Sequence, residues 1–159
     1  MKEVIDIMRV LHHHELYASS RIIRLVMAER GIVCLPKSER PWDRVEEFLR
    51  LNPAGDVPVL MTEDGEAICG ASVIAEYLEE TEEKAPLIWG SASERAEIRR
   101  LTDWFEGKFM REVGEPLLNE RFIKRFVDEV QPSSVVIRAA MTNLHIHLDY
   151  LDWLTEQDN

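Results

Sequence analysis

Few side chains in this sequence have the types and spacings that chemistry needs. His12, His13 and His14 invite a metal. They end an extended run, however, where neighbours point to opposite faces, so at most His12 and His14 share a side. No carboxylate or cysteine joins them at ligand spacing. His145 and His147 lie two apart on a helical pattern and diverge around it, so at least one should be exposed. No metal is expected. Cys34 and Cys69 are isolated, with no CxxC, which predicts two buried thiols in a reducing cytosol. A thioredoxin-type redox enzyme is excluded because no cysteine stands at the first helix start. Two features remain. One is a group of hydroxyls, Tyr17, Ser19 and Ser20, at that helix start. The other is a backbone, at Val57-Pro58, where a proline in second place in a short apolar run leaves a ladder hydrogen bond unmade.

The elements that must position them follow from periodicity. Met8 to His12 reads as a first strand. Leu16 to Arg30 is a helix with Ile22, Ile23, Val26 and Met27 as its apolar face and Gly31 as its stop. Ile32 to Leu35 is a second strand, parallel to the first if the helix makes a right-handed crossover. Pro36 to Arg40 is a loop, and Trp42 to Leu51 a short helix. Asn52-Pro53 and Gly55 make a turn, Val57 to Met61 is a strand, Asp64-Gly65 suits a two-residue hairpin, and Ala67 to Cys69 returns. Val73 to Leu78 is the next helix. Ser91 and Glu94 are spaced as a capping box, opening a long helix with Ile98, Leu101, Phe105, Phe109 and Val113 on one face. Gly107 lies inside it, and Gly114 and Pro116 are expected to bend or end it. After Leu117 to Val130, Pro132-Ser133-Ser134 starts a last helix whose stripe is Ile137, Met141, Leu144, Leu148 and Leu151.

The run from Leu49 to Leu60 resembles the L-x-L-N-P-x-G-x-V-P-x-L pattern of the glutathione transferase superfamily, and Glu76-Tyr77-Leu78 resembles the end of its next helix. That resemblance implies a thioredoxin-like α/β domain (βαβαββα) over about residues 6–82, a linker over 83–90 and an all-α domain over 91–159. Its mixed sheet would have the first two strands parallel and the hairpin antiparallel. Family chains continue for several more helices, so the helical domain is expected to be incomplete. The bond before Pro58 would be cis, with the Val57 backbone turned outward to pair with a peptide-like ligand, glutathione, as another strand would. Tyr17 falls in the slot of the family's thiol-activating residue, followed by Ser20 and Arg21; Tyr17, Ser19 or Ser20 would donate to the thiolate. On the residues alone, Ser19 or Ser20 caps the helix and Tyr17 packs. Arg44 falls where family members place a base for the ligand's glycine carboxylate, and is otherwise an exposed arginine. Gly70 and Ala71 fall where the family has an acid and a serine that bind the ligand's α-amino and α-carboxylate groups. Ser72 carries a hydroxyl one position off, about 100° around a helix.

The helices 104–109 and 147–154 resemble bacterial members of the superfamily that act in cell division and bind the tubulin-like GTPase FtsZ. The resemblance therefore implies either a binding protein with a degenerate glutathione site or an active transferase with glutathione as co-substrate. A homodimer through the 61–77 face would be usual. A net charge of −11 and a pI near 4.9 argue against nucleic acid or an anionic membrane as partner. No apolar run reaches transmembrane length, and the start is too acidic for a signal peptide, so a cytoplasmic protein is expected.

Overall fold

A computed structural model describes residues 8–83 and 86–157. The leader before the first strand, the middle of the expected linker and the last two residues lie outside the described residues. The chain divides after Ile88 into two units.

The first unit contains β1 (Val10–His13), α1 (Ala18–Glu29), β2 (Leu35–Ser38), α2 (Glu46–Leu51), β3 (Val59–Met61), β4 (Ala67–Cys69) and α3 (Ala71–Thr81). Strand order is β2-β1-β3-β4. β1 and β2 are parallel and the other pairs antiparallel, as the thioredoxin-like arrangement requires. Side chains alternate between the two faces of the strands. Leu11 and Leu60 point to one face, where Ile23 and Met27 of α1 and Ala71, Ile74 and Leu78 of α3 cover them. Val59 points to the other, against Phe48 of α2.

Three local expectations need correction. β2 begins at Leu35 and not at Ile32, because α1 ends in a tight turn. Gly31 N–H donates to Ala28 O and Ile32 N–H to Met27 O, so the next residues are spent crossing back. Pro36 is then tolerated, since β2 is an edge strand and needs no donor outward. The expected helix Trp42–Leu51 is broken. Pro41–Asp43 form a 3-10 turn closed by Arg44 N–H on Pro41 O, with Arg44 left-handed at φ 45°. The hairpin has a three-residue loop. Gly65 N–H donates to Thr62 O and Thr62 N–H to Glu66 O, which puts Gly65 at φ +84°, a type I turn followed by a left-handed residue.

In the second unit α4 (Ala92–Asp103) opens with the expected capping box. Ser91 Oγ accepts from Glu94 N–H at 3.3 Å, and the Glu94 carboxylate accepts from Ser91 N–H at 2.7 Å. The helix does not end at Gly114. It continues through wide i→i+5 turns over Trp104–Gly114, α5 (Glu115–Leu118) and a second wide-turn stretch, Asn119–Val127. Such turns loosen the regular ladder that Pro116 would otherwise interrupt. On α6 (Ser134–Gln157) the buried residues are Ala140 and His147, while Leu148 and Leu151 of the expected stripe are exposed. His147 is buried because both ring nitrogens are satisfied. Trp104 Nε1–H donates to Nδ1 at 3.1 Å, which leaves Nε2–H to donate to Glu112 Oε2 at 3.1 Å. His145 is exposed.

A buried ion pair closes the first unit. Arg30, 2% exposed, donates to Glu79. The same carboxylate accepts from Leu87 N–H at 3.1 Å and Ile88 N–H at 3.0 Å. Burial pushes the Glu79 carboxyl up, but the amides of Ile88 and Leu87 and the Arg30 guanidinium outweigh it and hold it below its ordinary value. Its folded value is therefore below its unfolded one. Its stability contribution is complete above about pH 4.3 and is lost as pH falls through the folded value. Removing the carboxylate leaves a buried guanidinium unpaired, which costs roughly 3–5 kcal/mol. Glu79→Ala should therefore lower the urea midpoint sharply at neutral pH and flatten the acid side of the stability curve. An unchanged midpoint would show that the pair carries no such load.

Candidate functional site

The β1–β3 register builds the site. Leu11 opposes Leu60 and His12 opposes Val59. Following both strands outward by two residues brings Val57 alongside the turn that leads from His14 into α1. The Val57-Pro58 peptide is cis. Beyond Val59 the ladder stops on both sides, yet three consecutive carbonyls are each closed by the chain itself. Asn52 Nδ2 donates to Asp56 O at 2.8 Å, Ser19 Oγ–H to Val57 O at 3.0 Å, and Gly70 N–H to Pro58 O at 3.1 Å. Asn52 also accepts from Ala54 N–H at 3.2 Å, and its own carbonyl accepts from Gly55 N–H. Asn52 thus holds the turn from inside.

Tyr17 is the N-cap residue of α1 but makes no side-chain cap. Its ring is half-buried against the cluster of Phe48, Val57 and Val59. Burial pushes its phenol up, and the charge of Asp56 adds to that. The hydroxyl is therefore a proton donor throughout the neutral range. Ser20 has 0% exposure, and its oxygen accepts from His14 N–H at 3.3 Å, so its hydroxyl presents no surface to a ligand. Arg44 is exposed, with its guanidinium beside Gly55. Val57 is 4% exposed, and Pro58 is buried.

At the start of α3 the N-cap is Gly70, at φ 92° and ψ 143°, with no side-chain cap and no acid in the first turn. Ala71 is buried in the core and Ser72 is exposed. The structure thus brings Tyr17, Val57, Pro58 and the Gly70 end of α3 around one turn, with Arg44 on its outer side. Ser20 lies beneath it. Two features escaped sequence reasoning. His14 sits between Tyr17 and Trp42, with ring centroids at 5.9 and 4.9 Å in edge-to-face contact. Burial lowers the His14 pKa, Arg40 adds to that and Glu15 opposes it. Its Nδ1 accepts from Leu16 N–H, so the neutral ring carries its proton on Nε2. The other is the Ser19–Val57 bond. Among three neighbouring hydroxyls, nothing in the sequence marks which one reaches across.

Residues 18–81 match the family model described as glutathione S-transferase, N-terminal domain. A glutathione S-transferase structure from Rhodospirillum rubrum is 44% identical, with a TM-score of 0.90, over 94% of this chain and 67% of that one. The chain belongs to the glutathione S-transferase superfamily. It is also 37% identical to FtsZ-localized protein A of Caulobacter vibrioides over 151 residues, 93% of this chain and 66% of that protein. The structure of FzlA from C. crescentus superposes with a TM-score of 0.89 at 37% identity, over 94% of this chain and 67% of that one. This chain therefore spans about two thirds of the length of these relatives.

As a glutathione S-transferase fold, the first unit has its cis proline turn and its α1 start in place, but the start of α3 is bare. A Cβ at Gly70 would meet no atom within 4 Å, so space does not demand glycine there. The backbone does, since positive φ with extended ψ is a region that nearly all side chains avoid. Gly70→Ala should cost about 1–3 kcal/mol, read as a lower urea midpoint with the fold unchanged. A neutral effect would place residue 70 in an ordinary backbone region.

Among the described residues, no group of three or more His, Cys, Asp or Glu is placed to hold a metal, and no helix is long and apolar enough to cross a membrane. Cys34 and Cys69 are free and half-buried, and burial pushes both thiols up.

Proposed function

We propose that this chain is a glutathione S-transferase superfamily protein with a degenerate glutathione site, weak or no transferase activity, and a protein-binding role in cell division. The observation that carries this reading is the start of α3. Gly70 and Ala71 offer no side chain to an α-amino or α-carboxylate group, and Ser72 is exposed one position off. A charged ligand terminus left unpaired on desolvation is costly. Losing one charge-assisted hydrogen bond costs about 1.5–3 kcal/mol, and two such losses weaken binding by roughly two to four powers of ten. The likeness to FtsZ-localized protein A supports FtsZ as the partner. A homodimer through the face containing Val73, which is 55% exposed, belongs to the same reading, as does a cytoplasmic location. Glutathione would be held, if weakly, by the Val57 backbone and Pro58, with Arg44 and Ser72 at the periphery.

Tyr17 favours the second reading, an active transferase conjugating glutathione to small electrophiles. Its phenol stands at the N-terminus of α1, where a donated hydrogen bond and the helix dipole both favour a thiolate. Two measurements decide. Wild type should bind glutathione with a dissociation constant in the millimolar range, and it should co-sediment saturably with FtsZ polymers. Binding at tens of micromolar, with conjugation abolished by Tyr17→Phe, would establish the transferase instead. Failure to co-sediment would remove FtsZ as the partner.

A further inference from the structure

Val57 lies where both neighbouring strands have ended. On one side β1 stops at His13, and on the other Gly70 N–H has already turned to Pro58 O. A backbone unit at such a ladder end is open to pairing with an incoming extended peptide, which gains affinity through main-chain hydrogen bonds. The carbonyls on either side of Val57 O are taken by Asn52 Nδ2 and Gly70 N–H. Val57 O is therefore the acceptor that a peptide amide would need, and the Ser19 hydroxyl holds it at 3.0 Å.

We propose that Ser19 is an internal surrogate for a ligand amide. Its hydroxyl occupies the strand-pairing acceptor of Val57 and so holds this site shut against extended peptides, γ-linked thiol peptides such as glutathione included. Ser19 is the second residue of α1, and Ser20 behind it has no exposure. The hydroxyl is thus carried on a buried frame against a turn stitched by Asn52. A peptide must displace it or share the carbonyl with it. Selectivity against peptides then has two separate sources, the bare start of α3 and the occupied Val57 carbonyl. The second rests on the reading above only in taking this turn as the ligand site.

The test is a titration of the full chain with glutathione, followed by amide chemical shifts of Val57 and Gly70 and fitted to a dissociation constant. Wild type is compared with Ser19→Ala, with Ser19→Thr, which keeps the hydroxyl, and with Ser19→Cys, a near-isostere with a weak donor. Ser19→Ala should tighten binding about two- to tenfold, the range expected when one competing neutral hydrogen bond is removed. Ser19→Thr should match wild type. Ser19→Cys should move in the same direction as alanine and serves in its place if that variant does not fold. A gain of affinity cannot arise from damage to the fold. Unchanged or weaker binding in both the alanine and cysteine variants overturns the surrogate role and leaves the weak-site reading standing. Wild-type binding at tens of micromolar overturns that reading, and tighter binding still by Ser19→Ala would then uphold the surrogate role on its own.

Discussion

The pairing of β1 with β3 is the constraint on which the first unit depends. It is the junction of the sheet, joining a parallel half, β2 and β1, to an antiparallel half, β3 and β4. Leu11 opposite Leu60 sets which side chains enter the core between the sheet and helices α1 and α3. A slip of one residue between the two strands would put Leu11 and Leu60 on opposite faces of the sheet and break that core. The same register decides what stands beside Val57. Because β1 runs into α1 after a short turn, the first residues of α1 and the residues before β3 must share one corner of the unit.

That corner is held by polar groups working inward. Asn52 ties the turn, Ser19 reaches from α1 to Val57 O, and Gly70 N–H reaches from α3 to Pro58 O. Each bond joins a different element to the same short run of backbone. Each also satisfies a carbonyl that would otherwise need solvent or a ligand. The first unit keeps a four-stranded mixed sheet and a cis proline turn, while Gly70 and Ala71 at the start of α3 carry no polar side chain. In the helical unit, buried His147 is likewise satisfied internally, by Trp104 and Glu112.

The strands and helix faces were legible in the sequence because Leu11, Ile23, Leu60 and Ile74 are apolar at the periods their elements require, while the mixed character of the sheet came from the superfamily resemblance. The turn at Asn52 to Gly55 was legible from its proline and glycine, and the cis proline from the resemblance to the superfamily pattern. Boundaries were less so. β2 starts later than the apolar run Ile32 to Leu35 suggests, because Ile32 and Cys34 are apolar from packing on the core after the end of α1, not from strand pairing. Helix α2 is shorter than its apolar pattern suggests, because a single left-handed residue, Arg44, carries no sequence mark. On α6 the apolar stripe misled, since the burial of His147 depends on Trp104 and Glu112, distant in sequence. Within the site, residue types marked Tyr17, Ser20, Val57 and Pro58, and the superfamily resemblance added Arg44 and Ser72. Which hydroxyl faces which carbonyl is a matter of angstroms that spacing does not encode.

The chain closes the Val57 carbonyl with its own Ser19 hydroxyl. The most direct measurement is the carbonyl carbon-13 shift of Val57, in protein labelled at valine carbonyls, for wild type and Ser19→Ala without ligand. Loss of the Ser19 hydrogen bond should move the Val57 resonance upfield while those of Val59 and Val73, outside the corner, stay in place. An unmoved Val57 resonance would show that the Ser19 hydroxyl does not hold this carbonyl.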